Sequence, residues 1–192
     1  LTVTLSEEQL AEARRRIDAQ GLADRVEVRL QDYREVSGRF DAIVSVEMLE
    51  AVGEAYWPTY FAGLDRLLAP GGTAAIQTIT MPHERVLATR HTFGWVQKYI
   101  FPGGLIPSLR LVEQTLAQHT GLQVTARRDL GGHYADTLRL WRNQFLENWA
   151  EIQGQGFDHT FRRMWELYLA YSEAGFRSGY LDVSQLQLRR TA

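Results

Sequence analysis

The sequence predicts an open, mostly parallel α/β sheet. Over the first eighty residues, strand-like runs and helices alternate in the order β-α-β-β-α-β. "FDAIVSVEM" (residues 40–48) is a short continuous apolar run, the pattern of a strand covered on both faces. An amphipathic run, "YWPTYFAGLDRLLAPGG" (residues 56–72), then stops at Pro70 and Gly71 before the next strand, "TAAIQTI" (residues 73–79).

The chain opens on "LTVT", which reads as the end of a strand, so the sequence is expected to begin inside a domain. "LSEEQLAEARRRIDAQG" (residues 5–21) carries a helix start. Ser6 is a good N-cap, Gln9 completes a capping box, and Glu7 and Glu8 suit the positive helix end. Leu10, Ala13 and Ile17 recur at helical spacing and Gly21 stops the run. "RVEVRLQ" alternates as a strand over 26–30. Residues 26–30, 41–46 and 73–79 are expected to be neighbours in the sheet.

The second half is richer in helix. "HTFGWVQKYIFPGGLIPS" (residues 91–108) is aromatic and broken by Pro102, Gly103, Gly104 and Pro107. "LRLVEQTLAQHTG" reads as a helix and "LQVTARRDL" as a strand. Two long helices follow over about 135–153 and 158–176, and "LDVSQLQLRR" closes as a strand. No linker divides the chain, so one domain with a helical cover (about 83–120 and 135–178) is expected.

A net charge of −2 offers no basic field for nucleic acid. There is no cysteine, and the five histidines show no zinc-ligand spacing. No apolar run reaches the roughly 18–20 residues of a membrane span and no signal peptide opens the chain, so a cytoplasmic protein is expected.

Ligands in open α/β sheets bind beyond the carboxyl ends of strands. Those ends carry Gln31, Asp32 and Tyr33; Val46, Glu47, Met48, Leu49 and Glu50; and Thr80 and Met81. Asp32 beside Tyr33 suits an adenine, the carboxylate accepting from the exocyclic amine and the ring stacking on the base. The alternative is a loop aspartate that caps a turn. Glu50 is either a base, or a group that orients one, or a solvated residue in a helix's first turn. Tyr134, after two glycines, either reaches a cleft or packs. Phe93, Trp95, Tyr99 and Phe101 either line an acyl tunnel or belong to the core. Ala74, Ala75 and Ile76 read as core, yet Gln77 follows them. Its amide must find partners or cost about 1–3 kcal/mol.

"VTLSEEQ", "MLEAVG", "YWPTYF", "LLAPGG", "KYIFPGG", "HYADTLRLW" and "FRSGYLDVSQLQL" occur in this order over essentially the whole chain. Together they resemble the cyclopropane-fatty-acyl-phospholipid synthase family, which includes the mycolic-acid cyclopropane synthases. "MPHERVLATRHTFGWVQKYIFPGG" most resembles an actinobacterial branch implicated in methyl-branched fatty acids, including tuberculostearic acid. The resemblance implies a class I S-adenosylmethionine-dependent methyltransferase, with a Rossmann-like sheet and a helical insertion. It places the N-terminal part of the fold, its glycine-rich loop and a cysteine of the ion site upstream of this chain. The implied reaction is methyl or methylene transfer to the cis double bond of a phospholipid acyl chain. A small-molecule methyltransferase or a non-catalytic lipid-binding fragment are the alternatives. The resemblance also implies a bicarbonate ion held by Glu50, Gln77, Tyr134 and the backbone at Ile79, with Glu50, Gln77 and Tyr134 catalytic. Gln77 stands where the family has histidine, and Ala51 where it usually has histidine after the glutamate. Thr4, Leu5, Ser6 and Gln9 match the ribose segment, and Asp32 and Tyr33 the adenine segment. Peripheral contact with the inner membrane face through segment 93–110, and a homo-oligomer, are further expectations.

Overall fold

The computed structural model describes residues 1–190. Strand β1 (Thr2–Thr4) leads into helix α1 (Glu7–Ala19), then β2 (Val28–Leu30), a 3-10 turn at Tyr33–Glu35, and β3 (Phe40–Val46). Next come α2 (Leu49–Val52), a 3-10 turn at Glu54–Tyr56, α3 (Trp57–Leu67) and β4 (Leu68–Thr80). The second half holds α4 (His83–Thr89), α5 (Trp95–Tyr99), α6 (Leu109–His119), β5 (Leu122–Asp129), α7 (Gly131–Glu147), α8 (Trp149–Gly154), α9 (His159–Arg177) and β6 (Asp182–Arg190). No described helix is long and apolar enough to cross a membrane.

Ser6 caps α1 by accepting from Gln9 N at 3.1 Å. The capping box does not close as expected: the Thr4 hydroxyl accepts from Ser6 N at 3.2 Å and donates to Gln9 Oε1 at 2.7 Å. Helix α3 ends at Leu67, and Leu68 already pairs with Phe40. Pro70 bars the residue before it from helical backbone, so the helix closes ahead of the Pro-Gly-Gly turn. Gly71 has φ +76°, and a Cβ on Gly72 would lie 3.0 Å from Asp41 O, so the turn needs both glycines.

Strands pair in the order β3-β4-β6-β5, with β3 parallel to β4 and β6 antiparallel to both neighbours. The expected adjacency of 41–46 with 73–79, and of the last strand with β4, is observed. The expected adjacency of 26–30 with 41–46 is not: β2 is shorter and pairs only with β1, in a separate two-stranded sheet. The long helices also differ from expectation. The first starts at Gly131 and breaks at Asn148, whose amide turns back to Gln144 O at 2.8 Å.

One face of the sheet carries Ala74, Ile76, Leu186 and Leu188, buried against Trp57, Tyr60, Phe61 and Leu64 of α3 and Val112 and Leu116 of α6. Burying a ring such as that of Phe61 contributes about 1.5–3 kcal/mol. The opposite face is covered at one end only. There α7 and α9 pack on Ile79 and Val183 through Ala135, Leu138, Leu169 and Phe176. Within residues 1–190 nothing covers the remainder, and Val44 is 73% and Val46 60% exposed. Ala75 is exposed too, and Gln77 shares its face.

Candidate active site

Strand β3 runs out at Val46, whose register partner is Gln77. Glu47 follows with φ +51°, the only non-glycine positive φ among the described residues. Left-handed backbone costs an L residue about 1–2 kcal/mol. Here it keeps the backbone paired, Glu47 N donating to Gln77 O at 2.8 Å. The Glu47 carboxylate collects two donors. Gln77 Nε2 reaches Oε1 at 2.9 Å, and the Tyr134 hydroxyl reaches Oε2 at 3.3 Å. Gln185, opposite Gln77 in the antiparallel register, donates from Nε2 to Gln77 Oε1 at 2.9 Å. A hydrogen-bonded row therefore links β6, β4, the end of β3 and α7, at the border between the covered and open parts of the sheet face. The polar residue in an apolar strand is thereby satisfied.

Glu50 lies in the first turn of α2, held by the buried Leu49, whose carbonyl accepts from Trp57 Nε1 at 3.1 Å. Glu50 Oε1 accepts from Ile79 N, while Oε2 is buried without a partner. Burial pushes the Glu50 carboxyl above its usual range. Backbone N–H bonds oppose the rise and the Glu47 charge adds to it. The Glu50 carbonyl accepts from Leu105 N at 3.0 Å, which seats the 101–108 loop on α2. Tyr134 stands in the first turns of α7, edge-on to Phe176 with centroids 4.8 Å apart. Burial pushes its phenol far up, helped by the Glu47 charge, so it remains a donor at ordinary pH.

The structure thus brings Glu50, Gln77, Ile79 and Tyr134 together, and adds Glu47, which sequence reasoning passed over. The only signal was its place at a strand end, shared with four neighbours. The donors that the resemblance gives to a bicarbonate are used differently in this chain: Gln77 and Tyr134 donate to Glu47, and Ile79 N to Glu50.

Beside this row lies an open cavity of about 530 Å³. Thr4, Leu5, Asp32 and Tyr33 line one side, and Met48, Ala51 and Val52 the other. Ser6 and Gln9 are not in its lining; they serve the start of α1. Asp32 caps the 3-10 turn through Arg34 N at 2.9 Å and pairs with the Arg34 guanidinium at 2.6 Å, which holds its carboxyl low. The turn-capping reading of Asp32 is therefore present in the structure. Tyr33 is half-buried, edge-on to Tyr60.

The model of the mycolic acid cyclopropane synthetase family matches residues 1–186. The chain belongs to that family. Among its curated relatives is the tuberculostearic acid methyltransferase UfaA1 of Mycobacterium tuberculosis, 59% identical over 98% of this chain and 44% of that protein. The cyclopropane-fatty-acyl-phospholipid synthase of Escherichia coli K12 is 36% identical over 98% of this chain and 46% of its own length. The chain thus spans less than half of each. The crystal structure of the mycolic acid cyclopropane synthase CmaA1 complexed with SAH and CTAB superposes with a TM-score of 0.81. It is 26% identical, over 98% of this chain and 68% of that one. This family member accordingly has the class I methyltransferase fold, in agreement with the resemblance read from its ordered motifs.

Proposed function

We propose that the protein carrying this chain methylates the cis double bond of an unsaturated phospholipid acyl chain, giving a cyclopropane or a methylene- or methyl-branched product. The observation that carries this reading is the hydrogen-bonded row around Glu47: Met48, next to it in the chain, lines the cavity, and Tyr134 packs with Trp165, Tyr168 and Phe176 in an aromatic cluster. The names of UfaA1 and of the Escherichia coli synthase support the same chemistry.

We assign S-adenosylmethionine to the cavity lined by Thr4, Leu5, Asp32 and Tyr33; the SAH bound in the CmaA1 complex supports a cofactor of this class. Bound there, the cofactor supplies a sulfonium-activated methyl group to the weakly nucleophilic alkene. This chain's residues then have two tasks. The aromatic cluster excludes water from a cationic acyl chain, and the polar row places negative charge and a proton acceptor beside it. Bicarbonate does not fit this reading. Each donor of this chain that would hold it is given to a carboxylate of the chain, and a further anion would meet the Glu47 carboxylate.

Phe93, Tyr99 and Phe101 are exposed, with Lys98 beside the Tyr99 ring at 5.0 Å, and form a surface suited to peripheral contact at the inner membrane face. The test is incubation of the full-length protein with methyl-labelled S-adenosylmethionine and monounsaturated phospholipid, followed by mass analysis of the acyl chains. Label in the chain, heavier by one CH₂ unit, is expected. Equal labelling of saturated lipid, or label only in water-soluble products, overturns the reading.

A further inference from the structure

We propose that Glu47 is the proton acceptor of this site, its carboxylate standing where the family resemblance places a bicarbonate ion. The proposal rests on the reaction read above and names the group that completes it.

The geometry argues this in three steps. Glu47 is held from both sides, by Gln77 at Oε1 and by Tyr134 at Oε2, and its backbone adopts φ +51° to stay paired with β4 while doing so. Strained backbone of this kind persists only where its surroundings hold it. Next, those two donors leave each oxygen with a free lone-pair direction, so the carboxylate can still accept a proton. Finally, the two acidic side chains differ in surroundings. Glu50 has one buried oxygen without a partner, which favours its neutral form, whereas Glu47 has a donor on each oxygen. Of the two, Glu47 is the carboxylate oriented by donors from both sides.

The step balances without any other reactant. After methyl transfer the acyl chain is a carbocation. Glu47 takes a proton, either from a chain carbon bonded to the cationic centre or from the transferred methyl one carbon further away, and becomes the neutral acid. The C–H electron pair becomes a C=C bond, or the closing bond of a cyclopropane when the proton comes from the transferred methyl. The acid then loses its proton to water before the next turnover. Gln77 is an amide where the family has histidine, and this fits: an amide donates to the Glu47 carboxylate without competing for the proton.

The test uses the full-length protein and its Glu47→Gly variant, since φ +51° suits glycine and the change leaves the backbone unstrained. Binding of ¹³C-labelled bicarbonate is read by NMR line width, independently of activity. The parent should show no saturable binding and the same turnover with or without added bicarbonate, while the variant should bind the ion. Variant turnover should fall by about 100-fold or more and recover with formate or bicarbonate, at unchanged KM for S-adenosylmethionine. Saturable binding by the parent, loss of parent turnover on bicarbonate depletion, or parent-like turnover in Glu47→Gly overturns the proposal. So does a loss that no anion restores while cofactor affinity is intact. A parent that labels no acyl chain overturns the reaction instead, and the binding arm still decides whether Glu47 fills the ion's place.

Discussion

Gln77 and Glu47 face each other across the end of the β3–β4 pair, the amide donating to the carboxylate at 2.9 Å. Strand register and a left-handed residue create this contact together. Val46 lies opposite Gln77, and Glu47 turns in place without losing its backbone bond to the same residue.

Replacing Gln77 with Leu should therefore cost about 1–3 kcal/mol, because it removes the part-buried donor on the Glu47 carboxylate. Turnover should fall about tenfold with the KM for cofactor unchanged. Gln185→Ala removes only the outer end of the row and should do less on both counts. Urea denaturation and steady-state kinetics on the same preparations check the gradient.

Glu50 sets a pH dependence of stability. Burial raises its carboxyl in the folded protein above the unfolded value, so the folded state keeps a proton that the unfolded chain has lost. That contribution is fully present below the unfolded value and is lost as pH rises through the folded one. Glu50→Gln cannot ionise. It should gain stability relative to the parent as pH rises from about 4 to about 7, and the gap should close at the acid end. Denaturation midpoints across that range read the sign.

Tyr134 is aimed by the start of α7. A Cβ on Gly131 would lie 2.7 Å from Asp182 Oδ1, which accepts from Gly131 N at 2.8 Å and Val183 N at 2.7 Å. Gly131→Ala should cost about 1–3 kcal/mol and lower turnover by displacing the tyrosine. Gly132→Ala meets nothing within 4 Å and should be neutral or stabilising by up to about 1 kcal/mol. Thermal melts of the two variants separate crowding from helix propensity.

Arg190 ties the last strand to the end of α3. Its guanidinium reaches Asp65 Oδ1 at 2.7 Å and donates to the carbonyls of Asp65 and Leu68. Arg190→Leu should cost about 1.5–3 kcal/mol and leave the Glu47 row in place. A lowered urea midpoint with near-parent turnover is the expected pair of results.

The exposed rings give a membrane prediction. In the full-length protein, Phe93→Ser with Tyr99→Ser should weaken sedimentation with anionic vesicles at low salt. Methylation of detergent-dispersed lipid should stay near the parent's rate. Unchanged vesicle binding places the membrane contact elsewhere.

By itself the sequence determined the order of helices and strands, because period and punctuation are local. Ser6 had to cap, Pro70 had to end helical backbone, and Gly71 and Gly72 had to make the irregular opening of β4. It also marked Glu50, Gln77 and Tyr134, although a family resemblance rather than their spacing joined them. Tertiary structure alone decided the rest. Strand β2 pairs with its chain neighbour β1, and not with β3, in this span. Glu47 was hidden in the sequence. Whether a strand-end acid reaches a neighbouring strand depends on one backbone angle and one register, and both are fixed only when β3 lies against β4 with α7 packed over its end.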